Sequence, residues 1–110
     1  MSGNILLEIE RRTGREYMLR QLAEEAVELA QAALKLIRAE KGETPMPVDR
    51  ARRHFIEELA DLDIMTTWAR RHEMNKREFS QLLDIRTGKL ERFDRRTREW
   101  NGAKGGDGDE

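Results

Sequence analysis

A chain of 110 residues is one domain's worth, and with 39% charged against 37% hydrophobic residues it has limited material for a core of its own. Its 21 basic and 22 acidic residues nearly cancel, to a formal charge of -1, so the total favours neither a nucleic-acid partner nor a membrane surface. There is no cysteine, which excludes disulfides and thiolate metal sites, and the apolar run in MSGNILLEIERR is too short for a signal peptide or a membrane span; the expectation is a cytoplasmic protein.

Much of the charge is Glu, Lys and Arg, and much of the apolar content is Leu and Ala, all helix formers. A short helix is expected over residues 4–12, around Ile5, Leu6 and Ile9, interrupted at Thr13-Gly14. Thr13 followed by Glu16 reads as a capping box for a second helix, from about Arg15 to Lys41. Leu19, Leu22, Ala26, Leu29, Ala33 and Leu36 recur along it at spacings of three and four, and Gly42 ends it.

The two prolines of GETPMP make residues 42–47 a loop. A third helix is expected from about Val48 to Arg71, with Phe55, Leu59, Leu62 and Thr66 on one apolar edge, widened by Ile56, Ala60 and Ile64. His72-Glu73-Met74 reads as a turn and Asn75 as the cap of a fourth helix, Lys76 to about Trp100. Phe79, Leu82, Leu83, Leu90 and Phe93 are its apolar side, and Gly88, which costs roughly 1 kcal/mol against Ala inside a helix, marks a point where it could kink or split. Residues 101–110 read as a disordered polar tail, leaving residues 1–100 as a single all-α domain. No strand pattern, internal repeat or sustained heptad is read. The expected fold is an antiparallel four-helix-type bundle, and a bundle this small and this charged is expected to oligomerise.

The chemistry is carried by two segments, EEAVE at residues 24–28 and EELAD at 57–61. Within each, acids at i and i+3 leave the helix on one face: Glu25 with Glu28, and Glu58 with Asp61. Antiparallel packing of the two helices lets the pairs converge. Four converging carboxylates raise one another's pKa values, and a divalent cation removes that conflict. An all-oxygen site suits Mg²⁺ first and Mn²⁺ second, and such sites leave positions for water and phosphate oxygens. The plain alternative is that acids at helical spacing form a solvated face or ion pairs; two matching segments, each in mid-helix beside an apolar edge, are less easily dismissed.

At this point the sequence resembles the MazG-like all-α nucleoside triphosphate pyrophosphohydrolases, whose pattern is a Glu-Glu-x-x-Glu helix followed after a loop by a Glu-x-x-Asp helix. The resemblance spans roughly residues 15–96. It implies Mg²⁺ held by Glu25, Glu28, Glu58 and Asp61, with Glu24 helping to orient or deprotonate the water. It implies cleavage between the α- and β-phosphates to a nucleoside monophosphate and pyrophosphate, in a homodimer or dimer of dimers with sites near subunit contacts. Relatives often carry a Lys, then an Asn and a basic residue, in the last helix; here Lys89 is followed by Arg92, Arg95 and Arg96 with no Asn.

Lys89, Arg92 and Arg96 share a helical face and are candidates for the triphosphate, the alternative being a solvated face paired to Glu91, Asp94 and Glu99. Trp68, seven residues after Asp61, could stack on a nucleobase or simply pack. Tyr17 and Gln21, on the side of Glu24 and Glu28, are candidate base or sugar contacts. His54 and His72 read as surface or capping residues, since a di-iron bundle needs Glu-x-x-His pairs that are absent. No P-loop is present. The basic patch is interleaved with acids, which argues against nucleic acid. The rival readings are a non-catalytic helical interaction or regulatory module, and a pyrophosphohydrolase of phosphoribosyl-ATP type.

Overall fold

The computed structural model describes residues 2–103, with side chains from Asn4 to Trp100. All regular structure among them is helical: α1 (Ser2–Thr13), α2 (Arg15–Glu40), α3 (Val48–Trp68), a π-helical turn (Ala69–Glu73) and α4 (Lys76–Ala103). None of the helices is long and apolar enough to cross a membrane. The chain divides into two compact units, the first ending at Glu73 and the second beginning at Met74. Of the expected tail, residues 101–103 continue α4, and residues 104–110 lie outside the described residues.

Each boundary has a local cause. α1 and α2 are separated by Gly14 alone, whose φ of 98° and ψ of 158° suit only a residue without Cβ. The capping box expected at Thr13 does not form. Thr13 is the last residue of α1, and its hydroxyl donates back to the Ile9 carbonyl at 2.8 Å, while Glu16 pairs with Arg20 at 2.8 Å. α2 ends in a Schellman motif: Glu43 N–H donates to the Arg38 carbonyl at 2.9 Å, Gly42 N–H to Ala39 at 3.1 Å, and Gly42 takes φ 71°. Pro47, with φ -62°, leads into α3. The cap at Asn75 is present and is reciprocal: its Oδ1 accepts from Glu78 N–H at 2.8 Å, and Glu78 Oε1 accepts from Asn75 N–H at 3.0 Å. Gly88 does not split α4, which is continuous across it.

In the first unit α2 and α3 form an antiparallel hairpin closed by the 41–47 loop, and α1 packs at its open end. There Leu6, Met18, Met65 and Trp68 make one buried cluster, joined by Ile9, Leu19, Leu22 and Ala69. The Trp68 indole N–H donates to Glu10 Oε1 at 2.8 Å, so the ring's polar edge is satisfied while its body fills the core. The π turn carries Glu73 to Arg15, whose Nε donates to both carboxylate oxygens, at 2.9 and 2.8 Å.

The buried residues reveal a heptad that the three-and-four reading of the sequence had hidden. On α2 the buried positions are Met18, Ala32 and Ala39, with half-buried Leu22, Leu29 and Leu36 in the neighbouring row. On α3 they are Ala51, Met65 and Trp68, with half-buried Phe55 and Leu62 beside them. Steps of seven from Met18 and from Ala51 each land on one residue that breaks the apolar pattern, Glu25 on α2 and Glu58 on α3. By contrast Ala26, Leu59, Ile56 and Ile64, expected on the apolar edge, are exposed.

Gly42, just past the end of α2, and Gly88, inside α4, separate opposite effects of one substitution. Gly42→Ala puts a Cβ on a left-handed residue and is expected to cost about 1 kcal/mol or more. Gly88→Ala meets only the Arg92 guanidinium at 3.9 Å and is expected to add roughly 0.5–1 kcal/mol of helix stability. Urea and thermal melts followed by far-ultraviolet circular dichroism check both signs.

Candidate metal centre

Glu25 and Glu58 enter the hairpin from facing positions of the two heptad rows, so the packing that buries Met18, Ala32, Ala51 and Met65 also forces these carboxylates inward. Glu28 and Asp61, three residues on, stand at the exposed rim. Glu25, Glu58 and Asp61 each offer a carboxylate oxygen, and these oxygens lie within 4.8 Å of one another. Glu28 joins through Glu25 and Glu58, with which it shares electrostatic and hydrogen-bonding contact. The structure therefore brings together the four acids expected as ligands.

Their electrostatics are those of a crowded, half-dry site. Burial pushes the Glu25 carboxyl above its ordinary value, and the charges of Asp61, Glu28 and Glu58 push it further. Burial likewise raises Glu58, reinforced by Glu28 and Asp61 and opposed by His54. Oε1 of Glu25 and Oε1 of Glu58 are buried without a hydrogen-bond partner. A covered oxygen without a partner is destabilising, because it has given up water and gained nothing in exchange. Two such oxygens in an all-carboxylate set fit a hard divalent cation, whose bonds would satisfy both.

The other expected site residues fall in several places. Glu24 is exposed beside the cluster and accepts from Gln21 Nε2 at 3.4 Å. Tyr17 is also exposed, on α2. Glu57, next to Glu58, points the other way and pairs with Arg53 at 3.3 Å on the surface. Trp68 is corrected: it is 0% exposed within the core and presents no face to a nucleobase. Lys89, Arg92 and Arg96 are exposed on α4, in the second unit, where the Arg96 guanidinium sits 5.5 Å from the Phe93 ring centre.

His54, which reads in the sequence as a surface or capping residue, is a neighbour of the cluster. His54 is half-buried, one turn before Glu58, with Nδ1 3.8 Å from Glu58 Oε2. The signal was its i,i+4 spacing to a candidate ligand. No protein-family model, curated protein or solved structure matches this chain.

Because folding raises the proton affinity of Glu25 and Glu58, their contribution to stability is best below the ordinary carboxyl value of 4.5 and is lost as pH rises through the raised values. Glu73, lowered by its hydrogen bond from Arg15, runs opposite: its contribution is present above 4.5 and lost as pH falls through the lowered value. In chelator at neutral pH, Glu58→Gln is therefore expected to melt above the wild type, since the amide removes a charge and gains a donor toward Glu28. The gap should close as pH falls below about 4.5. Melting curves of both chains across pH, without metal, measure it.

Proposed function

We propose that the chain is a Mg²⁺-dependent nucleotide pyrophosphohydrolase, acting on a ribo- or deoxyribonucleoside triphosphate to give the monophosphate and pyrophosphate. The observation that carries this reading is the pair of carboxylates at core positions of a two-helix hairpin, each with a buried oxygen lacking a partner, joined by two more acids at the rim. A surface acid in an ordinary ion pair needs no such arrangement, and Glu57 with Arg53 on the same helix is an example. The order and spacing of EEAVE and EELAD, which resemble the MazG-like pattern, give the reaction class.

In this reading Glu25, Glu28, Glu58 and Asp61 would hold the cation, Mg²⁺ or its substitute Mn²⁺, which would supply neutralisation of phosphate oxygens and a more acidic water. Glu24, exposed next to Glu25 and steadied by Gln21, is the group assigned to receive the water's proton. Water adds to the α or the β phosphorus and the bridging P–O bond breaks, expelling pyrophosphate in the first case and the nucleoside monophosphate in the second; the products are the same. Lys89, Arg92 and Arg96, expected from the sequence to meet phosphate charge, lie on α4 in the second unit; Arg forks match two phosphate oxygens at once.

We further propose that the chain assembles with itself, as a dimer or dimer of dimers completing a four-helix-type bundle. Val27, Leu34 and Ile37 on α2 and Ile56, Leu59 and Ile64 on α3 are roughly half-exposed large apolar side chains, more than a hairpin gains from leaving in water.

Incubation with Mg²⁺ and a panel of nucleoside triphosphates, with products separated by chromatography, tests the reaction. The expected products are monophosphate and pyrophosphate, with turnover falling at least about 100-fold in Asp61→Asn. Diphosphate with phosphate would contradict the cleavage position. No turnover on any nucleotide, together with no Mg²⁺-dependent rise in melting temperature, would favour a non-catalytic helical module instead.

A further inference from the structure

The metal centre contains an asymmetry that its acids alone do not explain. Of the two core carboxylates, Glu58 has its oxygens in different surroundings. Oε1 is buried without a partner, and Oε2 faces His54 Nδ1 at 3.8 Å. The Glu58 side chain is 13% exposed and the imidazole 41%, so the ring sits at the edge of the site with its Nδ1 side toward the carboxylate. The preceding residues make the same i,i+4 contact on the open surface, Arg53 to Glu57 at 3.3 Å. Two basic–acidic pairs thus run side by side on α3, an arginine serving the outward acid and a histidine the inward one.

The difference between the two bases is chemical. A guanidinium is always charged and would compete with a cation for Glu58. An imidazole donates from Nδ1–H in its neutral tautomer, so it can orient a carboxylate without cancelling the charge that attracts the metal. The separation is longer than a hydrogen bond, so in this state the contact is electrostatic.

We infer that His54 is a positioning residue for the centre, holding Oε2 of Glu58 so that the buried Oε1 is left for a divalent cation. This inference rests on the metal reading of the four acids, and it concerns affinity for the cation rather than contact with a substrate.

The test is calorimetric titration of Mn²⁺ into the full chain and into His54→Ala, His54→Asn and Asp61→Asn, each also melted in chelator. Asparagine can put an amide N–H close to where Nδ1 stands. His54→Ala is expected to weaken Mn²⁺ binding roughly 10–100-fold, with most of the loss recovered in His54→Asn and little change in either metal-free melting temperature. If His54→Ala binds like the wild type while Asp61→Asn does not bind, the inference is overturned and the metal centre stands. If His54→Asn recovers nothing, or if the metal-free melting temperature falls in step with affinity, the residue acts through packing and the inference is overturned as well. If the wild type binds no Mn²⁺, the centre itself fails and His54 loses its role with it.

Discussion

Two glutamates occupy core positions of a two-helix hairpin, and most of the first unit is arranged around that fact. The row Met18, Glu25, Ala32, Ala39 on α2 meets the row Ala51, Glu58, Met65 on α3, so the packing that holds the hairpin together also drives two carboxylates toward each other. Without a cation this interaction opposes folding, because burial and mutual repulsion both favour the protonated forms. An apolar residue at either position would remove the penalty. A locally unfavourable choice at two facing core positions is where a functional reading has most to explain.

The remainder of the unit offsets that cost at the two ends of the hairpin. At the closed end Ala39 and Ala51 are fully buried, and the Schellman turn at Gly42 satisfies the last carbonyls of α2. At the open end Trp68 fills the space between α1, α2 and α3 and is tied to Glu10. The Arg15–Glu73 pair joins the start of α2 to the π turn that follows α3. The four acids lie between these two anchored ends, so the backbone that carries them is held from both sides.

Much of this was legible in the sequence, and what was hidden has physical reasons. Helix number, the 42–47 loop and the Asn75 cap follow from proline, glycine and periodicity, which act locally. The four acids were legible because their i,i+3 spacing is fixed by the helix itself. The heptad was not, because its rows are interrupted by the very glutamates that make the site, and because alanine at Ala32, Ala39 and Ala51 is a weak hydrophobic signal. Thr13 was misread since a hydroxyl at a helix junction can bond forward as a cap or back to the preceding turn, and Gly14 decided for the second. Trp68 lay at the right helical angle for a ligand, but α1 covers that end of the hairpin, and this tertiary contact leaves no trace in the spacing. His54 was passed over because it belongs to no Glu-x-x-His pair, although its partner stood four residues away.

The central claim is that Glu25, Glu28, Glu58 and Asp61 together hold a divalent cation. Crystals grown with Mn²⁺, with diffraction data collected at a wavelength where manganese scatters anomalously, test it directly. The account predicts an anomalous peak between α2 and α3, within bonding distance of Glu25, Glu58 and Asp61 and absent in Asp61→Asn crystals. Ordered density for those carboxylates with no peak between them, or with manganese bound only at other surface acids, would contradict it.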